Sequence, residues 1–279
     1  MFKGVETGVV AMSVVAAVFE VLMPLAVVFW ARRRLGVAWK VVGWGALAFA
    51  LSQLFTRLPM IQVLGILLGP AVKDSKTLET VWLLFLCLTA ALFEETARLW
   101  VFGRPLKDVR RWRDAVGFGV GHGGLESALL VAGMTVLGLF AMAALANMDL
   151  STMPVPPEKM EELVKAKQTY AEMRWWTPLL GAYERVGAMV AQITLSLLVL
   201  QRYVRGSPRW YWLAVAAHFV FNLVAVLVSQ TWGVVASEGV VTVFALLGLA
   251  VILRLRREEA AQQDSNQVQS SVVSPGAAS

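Results

Sequence analysis

Seven stretches of this chain, close to residues 8–30, 38–57, 80–102, 115–145, 178–201, 210–230 and 238–254, run almost free of charge. Each has about the length, ~20 residues, that carries an α-helix across a bilayer. Nothing else in the sequence narrows the fold so far. In hydrocarbon every backbone N–H and C=O must be bonded inside the chain, and a helix does this within one segment. The expected class is therefore an all-α polytopic membrane protein with about seven transmembrane helices. An eighth apolar piece, "MIQVLGILLG" (60–69), is too short to span and follows Arg57 and Pro59. It reads as a short interfacial or re-entrant helix, or as the continuation of a bent second span. Residues 1–257 form one transmembrane helical domain in this reading. Residues 258–279 are polar and rich in small side chains, the composition of a disordered cytoplasmic tail.

Charge sets the expected orientation. Of the 25 Lys and Arg residues, fifteen fall at 32–40, 104–113, 202–209 and 254–257, all on one side of a seven-span arrangement. Seven fall on the other side, spread over longer segments and balanced by acids, while Arg57, Arg98 and Arg185 lie within or at the edge of spans. Basic residues sort to cytoplasmic loops, so the N-terminus is expected outside and the C-terminus in the cytoplasm. The same sorting accounts for the net charge of +6 through the membrane, with no nucleic acid needed. The first run is too long for a cleaved signal peptide and ends in the stop-transfer flank "ARRRLG". A single cysteine, Cys87, rules out an internal disulfide and a cysteine metal site. In the long outer loop, 147–177, Met160, Leu163, Val164, Tyr170 and Met173 share one face at helical spacing, predicting an amphipathic helix on the membrane surface.

The spans carry polar residues in pairs. "LFEETARLW" (92–100) places Glu94, Glu95 and Arg98 in an apolar run, where each charge costs at least ~2.5–3.5 kcal/mol near the bilayer centre. Glu94 and Arg98 are four apart, as are Phe118, His122 and Glu126, and His218 and Asn222, so each span presents a polar pair on one face. At ~1.5 Å per residue, Glu94, His122 and His218 lie ~13, ~12 and ~14 Å from the cytoplasmic ends of their spans. Gln192 in the fifth span is at the matching depth. Glu184 and Arg185 lie ~25 Å from that end, towards the outer face, where a local ion pair accounts for them as well as function does. Any one of these residues can be explained as an interhelical hydrogen bond or buried ion pair, Arg98 most easily. Two carboxylates, two histidines and an asparagine at one level are harder to explain that way.

This inventory suits hydrolysis. A glutamate in a partly desolvated site can take a proton from water, a histidine can relay it to a leaving amine, and an Asn–His pair can donate to an oxyanion. Glu94 and Glu95 point about 100° apart on a helix, so only one faces a given pocket. The alternative is metal: Glu94, His122 and His218 make a two-histidine, one-carboxylate zinc set with an open position. His-x-x-x-Glu differs, however, from the zincin pattern of two histidines around a glutamate on one helix.

The series Glu94-Glu95-Thr96-Ala97-Arg98, Phe118-x-x-x-His122 and His218-x-x-x-Asn222 resembles the three motifs of the CAAX-processing and bacteriocin-processing intramembrane proteases. Within that superfamily "FEETAR", "GVGHGGLES" and "YERVGA" resemble most the YhfC family of intramembrane metalloproteases. Two residues separate Glu95 from Arg98, where the CAAX pattern has three, so the role of Arg98 is not carried over. The resemblance implies an integral protein of a prokaryotic plasma membrane that cleaves a membrane peptide or lipidated protein near the cytoplasmic face. It implies that Glu94 activates water with His122, that His218 and Asn222 hold the oxyanion, and that Glu95 and Glu126 orient them. Arg98, Glu126, Gln192 and Glu184 are supporting residues in this reading. No cofactor is required, and zinc stays open as the alternative. Two other functions compete: a proton-coupled transporter, since membrane carboxylates and histidines also build proton relays, and a noncatalytic scaffold retaining the site. The absence of an internal repeat speaks against the transporter.

Overall fold

The computed structural model describes residues 2–150 and 153–273. Among them eight helices form: α1 Thr7–Leu35, α2 Trp39–Lys73, α3 Lys76–Gly103, α4 Trp112–Asn147, α5 Pro157–Glu172, α6 Thr177–Val204, α7 Arg209–Trp232 and α8 Val234–Val273. All except α5 are long and apolar enough to cross a membrane, and no strand occurs among the described residues. The protein is an all-α polytopic membrane protein. Its spans are separated by local breakers. Gly36 closes α1 at φ 67°, a left-handed conformation that costs glycine nothing. Ser75 caps α3 by accepting from the Leu78 amide at 3.4 Å.

The apolar piece 60–69 takes the second of the forms expected for it and continues α2, which at ~1.5 Å per residue is ~52 Å long. Residues Ala50–Arg57 of α2 are π-helical, and the Leu58 amide bonds back to the Gln53 carbonyl. Pro59, which has no amide proton, follows where the hydrogen-bond register is already shifted, so it does not end the helix. At the other end of the chain, residues 258–273, expected as disordered tail, extend α8. Glu258 accepts from Arg205 and, at 2.9 Å, from Arg254, while Glu259 accepts from the Trp112 amide at 2.5 Å. These tertiary bonds hold a turn whose composition alone would not order it. Residues 274–279 lie outside the described residues.

The core is built around α6, the most enclosed span, which packs against α1, α4, α7 and α8. Close approach comes from glycines on α4, spaced so that two sets of i,i+4 positions face different neighbours. A Cβ on Gly121 would strike the Val42 carbonyl of α2, and one on Gly45 of α2 would strike the Phe118 carbonyl of α4. On the other flank a Cβ on Gly119 would come within 2.5 Å of the Ile193 Cα of α6. α4 is thereby wedged between α2 and α6 at backbone contact, with His122 fully buried between the two glycine rows. Towards the 104–111 loop the bundle is filled by Val101, Phe102, Leu106, Val116, Phe118 and Leu200, a largely apolar layer.

Candidate active site

The acidic pair in α3 divides its partners between two clusters. Glu94 Oε2 meets His122 Nε2 of α4 at 2.9 Å and accepts from Arg98 Nη2 at 3.4 Å and Gln192 Nε2 of α6 at 3.3 Å. Its other oxygen, Oε1, accepts among the described residues from Gln53 Nε2 of α2 alone, at 2.7 Å. Four helices thus converge on one carboxylate. His122 is wedged edge-on against Phe49 and lies parallel to Phe118, with ring centroids 5.4 and 6.3 Å away. Its Nδ1 has no partner among the described residues.

Glu95, on the adjacent face of the helix, accepts through Oε1 from Arg98 Nη1 at 2.5 Å and pairs with His218 Nδ1 of α7 at 2.7 Å. Arg98, fully buried, also donates to Gln192 Oε1. Its fork therefore ties both glutamates to α6, a geometry that only a planar guanidinium provides. With Nδ1 held by a carboxylate, the His218 ring is oriented and its Nε2 left for other partners.

A cavity of about 230 Å³ opens against this array. Glu94, His218 and Asn222 line it together with Gln53, Arg57 and Glu126. His122 is not on its wall: it stands behind Glu94, in contact with the carboxylate and shielded from the cavity. Glu126 and Gln192 join the wall through a 2.7 Å bond from Gln192 Nε2 to Glu126 Oε2. Glu184 and Arg185, expected near the outer face and away from the site, also line the cavity. Arg185 donates to Glu126 at 3.0 Å and to Glu184. Counting residues to a helix end omits the reach of long side chains, and Arg185 and Glu126 together bridge the missing turn.

Two wall residues escaped the sequence reading. Gln53 and Arg57 lie four apart on α2, the same i,i+4 spacing as the other polar pairs, and Arg57 Nη1 donates to Gln53 Oε1 at 3.0 Å. Gln53 stands in "ALSQLFTR", where Ser, Gln and Thr together make the segment look like the end of a span. The repeated spacing was the available signal.

The residues as arranged do not fit a metal ion. No three His, Cys, Asp or Glu side chains among the described residues are grouped to hold one. His122 pairs with Glu94 and His218 with Glu95, so the two rings belong to different clusters, and the Arg98 guanidinium binds both carboxylates.

The family described as YhfC intramembrane metalloprotease matches residues 19–245. Over 242 residues the chain is 29% identical to the uncharacterized membrane protein YhfC of Bacillus subtilis (strain 168), covering 85% of this chain and 92% of that one. No solved structure gives a significant match.

Proposed function

Because the chain belongs to the YhfC intramembrane metalloprotease family, we propose that it is an intramembrane endopeptidase that hydrolyses a membrane-bound or lipid-linked peptide with a glutamate-activated water. The observation that carries this reading is the asymmetry of Glu94. One oxygen meets His122, Arg98 and Gln192, whereas among the described residues the other has a single donor, Gln53, and the carboxylate lies on the cavity wall shared with His218 and Asn222. A water in that cavity gives a proton to Glu94 Oε1, and its oxygen attacks the carbonyl carbon. The oxyanion that forms accepts from the His218 Nε2–H and the Asn222 amide, with Glu95 balancing the imidazolium. Glu94 then passes its proton to the amide nitrogen, the C–N bond breaks, and a carboxylic acid and an amine leave. His122, behind Glu94, holds the carboxylate in place. The order of the Glu94–Glu95, His122 and His218–Asn222 motifs supports grouping the chain with the CAAX-processing proteases.

Chelation tests the reaction without metal. Purified protein should keep its peptidase activity after exhaustive dialysis against a chelator. A zinc mechanism predicts the reverse, with activity lost, restored by added zinc, and bound metal removed by His122→Ala or His218→Ala. One tightly bound zinc per active molecule decides against this mechanism.

The membrane orientation follows from the basic loops, with the N-terminus outside and the 104–111 loop cytoplasmic. A reporter fused after Arg257 should be cytoplasmic, and one inserted in 155–157 external. Cytoplasmic placement of the second would reverse the assignment.

A further inference from the structure

Three arginines lie inside the spans, and the site accounts for two. Arg98 and Arg185 are each bound to carboxylates. Arg57 has none within 4.0 Å among the described residues, although it lines the cavity. Its Nε donates to Thr89 Oγ1 at 3.2 Å, Nη2 to the Leu86 carbonyl at 2.7 Å and Nη1 to Gln53 Oε1 at 3.0 Å. A guanidinium has five N–H bonds, so two remain after these three. Neutral acceptors hold the group in place without neutralising it. Glu94 acts on it only through space and is itself bound to Arg98 and His122, and charged residues within spans are rare outside substrate or ion sites.

Position adds the second part of the argument. Gln53 bonds both Arg57 and Glu94, so the guanidinium and the reactive carboxylate are separated by one amide. The two groups therefore lie within roughly 8 Å of each other, about the span of two extended residues. On the proposed protease reading, we infer that Arg57 is a specificity residue that binds a carboxylate of the peptide substrate, about two residues from the bond that is cut. The carboxylate belongs either to the C-terminus of the peptide or to an Asp or Glu side chain. Two N–H groups on a planar fork suit a carboxylate.

The test is a binding measurement on full-length protein carrying Glu94→Gln, so that it does not depend on turnover. The probes are the fluorescent peptide dansyl-Ala-Leu-Val-Leu-Ala as free acid and as amide, and an amidated version with Glu or Gln in place of its second Leu. The free acid should bind at least ~10-fold more tightly than the amide if the C-terminus is read, or Glu more tightly than Gln by a similar factor if a side chain is read. Arg57→Gln should abolish the preference, and Arg57→Lys should keep part of it. The acid-to-amide comparison is made on protein with Arg57 in place, so it stands even where Arg57→Gln fails to fold. Equal binding of both members of both pairs overturns the inference. So does a preference that survives Arg57→Gln, or competition by phosphatidylglycerol but not phosphatidylcholine in mixed micelles. Loss of peptidase activity in some other variant leaves these outcomes unaffected, because none of them reads hydrolysis.

Discussion

Peptide hydrolysis by Glu94→Gln protein is expected to fall ~10²–10⁴-fold, the usual contribution of a positioned general base. The substitution keeps the side chain's shape and removes its ability to accept the proton of water. It also presents an NH₂ to one of the donors around it, since Gln53 Nε2, His122, Arg98 and Gln192 all point at this carboxylate. Thermal unfolding must therefore be measured alongside the rate. The loss counts as catalytic only where the variant remains folded at the assay temperature. Asn222→Ala should cost ~10²–10³-fold, as for one oxyanion donor. Activity of Glu94→Gln within a few-fold of the parent would end the proposed mechanism.

Stability should respond most to Arg98. Its side chain is fully buried and neutralises two carboxylates that are themselves nearly or wholly buried. Arg98→Ala leaves both without a cation and should destabilise the protein by ~3–5 kcal/mol, read as a lowered midpoint of unfolding in detergent. Arg98→Lys restores the charge but not the fork that reaches Glu94, Glu95 and Gln192 together, so it should recover only part of that loss. A midpoint unchanged in Arg98→Ala would mean that the two glutamates do not depend on this charge.

The parts of the fold that were readable are those governed by local rules. Hydropathy locates the spans because lipid tests each segment by itself. The i,i+4 spacing of Glu94–Arg98, His122–Glu126 and His218–Asn222 identifies faces because a helix repeats every 3.6 residues. The rest depended on partners distant in sequence. The polar residues of α2 looked like the end of a span until Glu94 and Thr89 were seen to receive Gln53 and Arg57. Residues 258–273 have the composition of a solvated tail, and what holds their first turn is the Trp112 amide and Arg205, in other helices. Spacing fixes how far along α4 His122 stands, but it does not say whether a ring faces the cavity or stands behind a carboxylate.

The glycine rows of α4 have a mechanical consequence. Backbone contact with α2 and α6 on both flanks leaves α4 no room to slide or turn, and His122 is clamped with it. α7 has no such contacts: among its described residues only Ala214, Val215 and His218 are buried. The cavity thus has one wall backed by the clamped α4, with His122 behind Glu94, and another carried by the less enclosed α7, with His218 and Asn222. On the proposed protease reading, a peptide entering from the lipid would meet less resistance at α7 than at α4, and the tie between α7 and the acidic pair is the His218–Glu95 contact.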